Sequence, residues 1–222
     1  MNAAQVAPEN TDAENGLADW ITPKRTALLL IDVQADFASP GGVCAKGGAD
    51  LSAVPAALGA AGRLELASRR SGAKIVFVGL RTRAETDSPA WVERRRRLGG
   101  DPDEDLAICR AGTPGEAFVG PQPQAGDLVI RKRLYGAFFE TALDAELRAE
   151  GIDTLVLAGL TTECCVEATA REAFHRGYHV FIVADACASN DSAAHQASLG
   201  AMSRLCAIVV DAGAVERAWG DS

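Results

Sequence analysis

Apolar residues gather in six short runs along the chain, with longer amphipathic or polar stretches between them. Each run is nearly continuous in Val, Ile, Leu and Ala, which is typical of strands buried on both faces of a sheet. The runs are TALLLID (26–32), KIVFVGL (74–80), DLVIRK (127–132), DTLVLAG (153–159), YHVFIVAD (178–185) and LCAIVV (205–210). They predict six strands.

The stretches between these runs carry apolar residues at helical spacing. A helix predicted over 50–70 ends at Gly72, a residue type that favours helix termination. Further helices are predicted over 139–149, 161–176 and 191–202, with a last short one near the end of the chain. Because strands and helices alternate, the sequence predicts an α/β fold with a single doubly wound domain. Its sheet is six-stranded and mostly parallel, with helices on both faces.

Two segments depart from this alternation. Residues 81–126 are polar and rich in Gly and Pro, with one short helix predicted over Pro89–Leu98. An insertion of this length in a compact domain is often a functional rim, and we interpret it so. Residues 1–22 read as an acidic, partly ordered N-terminal extension, so the domain is predicted to run from 23 to 222.

Composition and charge exclude several classes of protein. The chain has 222 residues, is 48% hydrophobic and carries a formal charge of −8. This charge argues against a nucleic-acid partner bound through a broad basic surface. The run Arg94–Arg97 has two interpretations: a solvated helix end neutralised by the acidic residues at 101–105, or a contact for an anionic substrate. The Gly-rich SPGGVCAKGGAD (39–50) lacks the spacing of a nucleotide-binding turn.

No apolar stretch approaches the roughly 20 residues that a membrane span requires. The first twenty residues have neither a basic region nor an apolar one, unlike a signal peptide, so a cytoplasmic location is predicted. The six cysteines form no C-x-x-C pair and indicate no disulfide framework. A reactive cysteine therefore has to be found by its local setting.

Three reactive side chains fall at strand ends. Asp32 closes the first strand, Lys132 closes the third, and Cys165 follows the fourth at the start of a helix. Ligands of open parallel sheets bind beyond the carboxyl ends of the strands. Taken singly, each residue has an ordinary interpretation: an aspartate capping a turn, a lysine reaching solvent and a buried thiol. Together they form a chemically complete set of base, cation and nucleophile, in which the helix start favours the thiolate.

Three segments carry a family resemblance. IDVQADF (31–37), KRLYGAFFETAL (132–143) and GLTTECCVEATAREAFHRGY (159–178) resemble the isochorismatase-like cysteine hydrolases. The pattern is most similar to N-carbamoylsarcosine- and ureidoacrylate-type amidohydrolases. The resemblance implies that Asp32 is the general base, Lys132 the triad lysine and Cys165 the nucleophile. Cys164 is then a bystander or a site open to oxidation.

The resemblance also implies the chemistry around the nucleophile. A cis peptide is expected between Leu160 and Thr161, with the N–H groups of Thr161 and Cys165 forming the oxyanion hole. The expected reaction is hydrolysis of a C–N bond through a thioester, releasing ammonia or an amine. The alternatives are a nicotinamidase-like amidase and a non-catalytic interaction protein of the same fold. Nicotinamidases add an Asp/His metal cluster after the second strand, but residues 80–91 contain no histidine. We therefore expect neither metal nor cofactor.

The substrate pocket is predicted more loosely. The expected substrate is a small amide or ureido molecule, and the expected assembly is a homo-oligomer, either a dimer or a tetramer. Arg81 or Arg133 is expected to hold a substrate carboxylate. The remaining predicted pocket residues are polar or aromatic side chains near the three motifs and in the insertion: Gln34, Phe37, Trp91, Tyr135 and Phe138.

Overall fold

The computed structural model describes residues 11–220, with side chains from residue 16 onward. Six parallel strands form one sheet in the order β3-β2-β1-β4-β5-β6. The strands are β1 Thr26–Ile31, β2 Lys74–Leu80, β3 Leu128–Lys132, β4 Thr154–Leu160, β5 His179–Ala188 and β6 Ile208–Val210. The predicted doubly wound sheet is confirmed, and every strand pair in it is parallel.

Ten α-helices occur among the described residues. They are α1 Thr11–Trp20, α2 Ala35–Ala38, α3 Val43–Lys46, α4 Val54–Ser71, α5 Pro89–Arg97, α6 Pro102–Asp105, α7 Leu143–Ala149, α8 Glu167–His175, α9 Ser192–Leu205 and α10 Ala212–Ala218. Helix α4 ends at Gly72, whose φ of 80° is the left-handed conformation that glycine adopts at low cost. None of the helices in the described part of the chain is both long enough and apolar enough to cross a membrane.

Apolar side chains cover both faces of the sheet. On one face, α7, α8 and α9 contribute residues such as Leu147, Ala170 and Met202. On the other face, α1, α4 and α10 contribute residues such as Leu64 and Val215. Two apolar layers around one sheet explain why the strands are almost entirely apolar.

The N-terminal segment takes part in this core. Leu17 on α1 and Ile21 after it are buried. Trp219 donates its indole N–H to the Ile21 carbonyl at 2.8 Å. Residues 17–21, which the sequence placed in an extension outside the domain, therefore pack as part of it.

The insertion at 81–126 is also anchored to the rest of the molecule. It contains α5 and α6, and its residues Leu106 and Cys109 are fully buried. An antiparallel bridge pairs Gln34 with Phe118. The insertion thus lies against the segment that follows β1, at the carboxyl edge of the sheet.

Candidate active site

The site lies at the carboxyl ends of β1, β3 and β4. Strands β1 and β4 are neighbours at the centre of the sheet, where the strand order reverses direction, and such switch points form crevices. Gly159 near the end of β4 allows the close approach of the two strands, because a Cβ there would overlap the Ile31 carbonyl. Asp32 follows β1 with a φ of 50°, a left-handed conformation found at functional sites.

Lys132 connects the other two predicted catalytic residues. Its Nζ donates to Asp32 Oδ2 at 2.7 Å, to Cys165 Sγ at 3.4 Å and to the Leu134 carbonyl at 3.0 Å. These three contacts use all three donors of the ammonium group. Asp32 Oδ1 accepts from the Leu80 N–H at 2.9 Å, so both carboxylate oxygens are held. The structure brings Asp32, Lys132 and Cys165 together as predicted.

The electrostatics of Lys132 reflect a fully buried ion pair. Burial lowers the pKa of the lysine, but the Asp32 charge and the contacts with Asp32 and Cys165 outweigh burial. The net pKa of Lys132 is therefore raised above its ordinary value. The lysine stays charged at neutral pH despite its position in the core.

Cys165 lies in a π-helical turn, Thr162–Val166, between β4 and α8, and it is buried. Its hydrogen bond with Cys164, its burial and the Asp32 charge raise the pKa of the Cys165 thiol well above the ordinary value, while Lys132 opposes them. The sequence indicated that the helix start favours the thiolate. In the structure these influences act against that preference, and the Lys132 ammonium supports the thiolate.

The peptide between Leu160 and Thr161 is cis, at the point where β4 enters the turn. The Thr161 carbonyl accepts from the N–H groups of Cys164 and Val166, both at 3.2 Å. The Thr161 backbone thus holds the turn on both sides of Cys165.

Gln34 lies beside Asp32, and its side-chain amide is hydrogen-bonded within the chain. It is fully buried. Its Oε1 accepts from the Leu80 N–H at 2.7 Å, and its Nε2 donates to the carbonyls of Leu80 and Glu116, each at 2.9 Å. The amide joins the end of β2 to the insertion and shares the Leu80 N–H with Asp32, and a contact between Gln34 and a substrate stays a prediction.

Trp91 and Tyr135 form an aromatic pair between the insertion and the loop after β3. Their ring centroids are 6.1 Å apart and the rings meet edge to face. Burial and the neighbouring Cys164 raise the pKa of Tyr135, and Cys165 adds to the effect. Tyr135 is 43% exposed, so the pair reaches the protein surface. Phe37 lies partly buried in a small apolar cluster with Leu160 at the end of β4.

The two predicted carboxylate-binding arginines are both paired with glutamates. Arg81 Nε donates to Glu116 Oε2 at 2.6 Å, and this contact lowers the pKa of Glu116. Arg133 Nε donates to Glu140 Oε2 at 2.7 Å, and its guanidinium lies over the Phe139 ring. Both guanidinium groups thus have a carboxylate partner within the chain, and their contact with a substrate stays a prediction.

Phe138 is part of the apolar core cluster that also contains Cys165, and its place in a pocket wall stays a prediction. Its side chain is 4% exposed and packs against Tyr178, with ring centroids 5.6 Å apart. Its backbone N–H donates to Glu172 Oε2 at 2.9 Å. An aromatic residue beside a catalytic motif can line a pocket or pack in the core. Here the ring of Phe138 packs in the apolar layer between α8 and the sheet.

Sequence reasoning missed the residues that hold the loop after β3. Thr169 Oγ1 accepts from the Ala137 N–H at 3.1 Å, and Glu172 accepts from Phe138. A Cβ at Gly136 would overlap the Glu172 carboxylate, so any other residue there would displace this side chain. The spacing of Thr169 and Glu172, three residues apart on α8, is the only sequence signal for this role.

Among the described residues, no three His, Cys, Asp or Glu side chains cluster as the ligands of a metal ion would. The three histidines at 175, 179 and 195 lie on or beside α8, β5 and α9. Of these only His195 has a hydrogen-bonded contact near the nucleophile turn, with Thr162.

Comparisons with known proteins agree with this arrangement. The isochorismatase domain model matches residues 26–214. A protein named ureidoacrylate amidohydrolase RutB, from Methylobacterium radiotolerans, is 31% identical over 90% of this chain and 81% of its own length. The crystal structure of N-carbamoylsarcosine amidase from Thermoplasma acidophilum is 29% identical, covers 85% of this chain and 96% of its own, and has a TM-score of 0.67. The crystal structure of nicotinamidase PncA from Bacillus subtilis is 26% identical, covers 84% of this chain and 99% of its own, and has a TM-score of 0.69. The resemblance seen in the three motifs is confirmed, and the chain belongs to the isochorismatase family.

Proposed function

We propose that this protein hydrolyses a C–N bond of a small amide or ureido compound through a thioester on Cys165. The observation that carries the proposal is the position of Lys132 Nζ, which contacts both Asp32 and Cys165 in a buried site. Removing each ion of such a pair from water costs roughly several kcal/mol. A buried ion pair therefore contributes little to stability, and a role in catalysis explains its presence better. Relatives named as amidohydrolases and amidases support the same reaction class.

The proposed reaction starts from the neutral thiol. Asp32 takes the thiol proton as sulfur attacks the carbonyl carbon, and Lys132 stabilises the developing thiolate charge. The N–H groups of Thr161 and Cys165 are the proposed donors to the oxyanion of the tetrahedral intermediate. When the C–N bond breaks, Asp32 returns the proton to the leaving nitrogen, which departs as ammonia or an amine. Water then attacks the thioester, giving the acid and restoring the thiol.

The substrate end of the site is proposed to include Trp91, Tyr135 and Phe37. The aromatic pair supplies an apolar wall beside the thiols, and Phe37 lies at the end of β4. A planar amide or ureido group suits such a wall because it stacks on aromatic faces. The predicted homo-oligomer and cytoplasmic location stay predictions.

The test measures ammonia and amine release from a panel of small amides, carbamoyl acids, ureidoacrylate and nicotinamide, in the presence of EDTA. Cys165→Ala is the inactivated variant, and Cys164→Ala is the matched control one residue away. We expect turnover in wild type and Cys164→Ala and a loss of at least a thousandfold in Cys165→Ala. Equal turnover in wild type and Cys165→Ala would overturn the proposal, and inhibition by EDTA would indicate a metal-dependent amidase instead.

A further inference from the structure

The nucleophile turn is held at both ends by one face of α9. At its first residue, Thr162 Oγ1 lies 2.8 Å from His195 Nδ1. Just after its last residue, Glu167 Oε2 accepts from Ser198 Oγ at 2.5 Å, and Ser198 also lies 3.3 Å from the Thr162 carbonyl. Residues three apart in a helix lie on the same face, so His195 and Ser198 contact the turn side by side.

Two of the residues that make these contacts are buried. Thr162 is fully buried and Ser198 is 4% exposed. In such surroundings a hydroxyl without a partner is costly, so the Thr162 side chain is strongly tied to the His195 ring. His195 itself is half-buried, and this burial lowers its pKa, with Glu163 acting in the opposite direction. The ring is therefore neutral at pH 7.5.

We propose that His195 is a positioning residue that, through Thr162, fixes the backbone N–H groups on either side of Thr162 for oxyanion binding. This inference rests on the proposed function, because it assumes that Cys165 attacks a carbonyl carbon. Thr162 directly follows Thr161 and precedes Cys165 by three residues, so a shift of its side chain moves both proposed donors. A misplacement of about 1 Å at such a site costs on the order of a hundredfold in rate.

His195 is separate from the triad. The three contacts of Lys132 Nζ are Asp32, Cys165 and the Leu134 carbonyl, so the charge next to the sulfur does not depend on His195. Loss of His195 is therefore expected to slow acyl transfer, which needs the oxyanion donors. It is expected to leave simple alkylation of the thiol unchanged, because alkylation forms no oxyanion.

The test uses p-nitrophenyl acetate, an activated ester that acylates a nucleophilic thiol whatever the natural substrate is. Sulfur attacks the acetyl carbonyl, p-nitrophenol leaves with the thiol proton, and a thioester remains. The rate of the first turnover is measured at pH 7.5, with the rate in Cys165→Ala subtracted. Alkylation of Cys165 by iodoacetamide is followed in parallel by mass spectrometry.

We expect His195→Leu and Thr162→Val each to slow acylation by at least tenfold while changing the alkylation rate less than twofold. His195→Asn, whose amide replaces Nδ1, should stay within about threefold of wild type. The double variant His195→Leu/Thr162→Val should be no slower than either single variant, because both substitutions remove the same hydrogen bond. His195 lines a cavity of about 430 Å³, which leaves room for these replacements. His175→Leu, at an exposed histidine on α8, is the matched control.

Unchanged acylation in either single variant would overturn the inference. So would additive losses in the double variant, or a parallel fall in alkylation, which would mean that the whole turn has lost its structure. If His195→Leu does not fold, the comparison of Thr162→Val with Thr162→Ser decides, because serine keeps the hydroxyl. Failure of the amide panel with intact acylation by the ester would refute the proposed reaction class and leave this inference standing.

Discussion

Replacing Lys132 by methionine keeps a long flexible side chain and removes a charge from the core. The side chains of Lys132 and Asp32 are both 0% exposed, and the atoms Nζ and Oδ2 are 2.7 Å apart. At an effective dielectric constant of ~20, Coulomb's law gives an attraction of about 6 kcal/mol at this distance. Breaking a buried pair leaves an uncompensated charge and costs about 3–5 kcal/mol. We expect Lys132→Met to lower the free energy of unfolding by that amount.

The assay is urea unfolding at pH 7 of Lys132→Met, Asp32→Asn and the double variant. Asp32→Asn leaves an oxygen for the Leu80 N–H but strands the ammonium, so its cost should be similar. The double variant leaves no buried charge, and its cost should fall short of the sum of the single costs by about 2 kcal/mol or more. Arg97→Met is the control, because Arg97 pairs with Glu93 at the surface and such pairs contribute about 0.5 kcal/mol or less.

The same charge pair predicts the direction in which the free energy of unfolding changes with pH. In wild type the folded pKa of Lys132 is raised above the unfolded value of about 10.4, so the stabilisation is complete below that pH and is lost as pH rises further. In Asp32→Asn the effect of burial prevails and the folded pKa falls below the unfolded value. Stability should then increase with pH up to about 10.4. A cost below about 1 kcal/mol for Lys132→Met, or strict additivity in the double variant, would refute the reasoning.

Three further perturbations follow from the described contacts. Gln34→Leu should cost about 3 kcal/mol in urea unfolding, because buried backbone groups lose partners, and should speed hydrogen exchange at the Leu80 amide; an unchanged exchange rate would contradict this. Phe138→Ala should cost about 3–5 kcal/mol by the same assay, as for a core aromatic, and a cost below about 1 kcal/mol would contradict this. Contact with Arg81 lowers the pKa of Glu116, so its stabilisation is present above the unfolded pKa and lost as pH falls through the folded one. Glu116→Gln should therefore flatten the acid limb of the stability curve, and an unaltered limb would refute the assignment.

The sheet was predictable because its strands are buried on both faces. Continuous apolar runs located all six strands, and Gly72 marked the end of α4. The helix predicted over 139–149 begins only at Leu143, since Glu140 has a φ of 54° and cannot continue a helix. Thr169 and Glu172 on α8 accept hydrogen bonds from the backbone just before α7. Partners that lie more than thirty residues away leave no local pattern to read.

The site divides in the same way. The triad was predictable because strand ends converge, so chemistry at three ends implies one cluster. The contacts of the residues around the pocket were not predictable from the sequence. Whether Arg81 faces a substrate or a glutamate depends on Glu116, 35 residues away in the insertion. Gln34 shows the same limit, since its partners at Leu80 and Glu116 become neighbours only in the folded chain.

The strand order also sets when the site is assembled during synthesis. Asp32 and Lys132 are 100 residues apart, and both lie on the half-sheet β3-β2-β1, which the ribosome completes first. Cys165 arrives 33 residues later, behind β4, the first strand of the other half. Once β3 has left the ribosome, both members of the charge pair are outside it. The reactive thiol is the last of the three groups to leave the ribosome, so any early pairing of Asp32 with Lys132 precedes it.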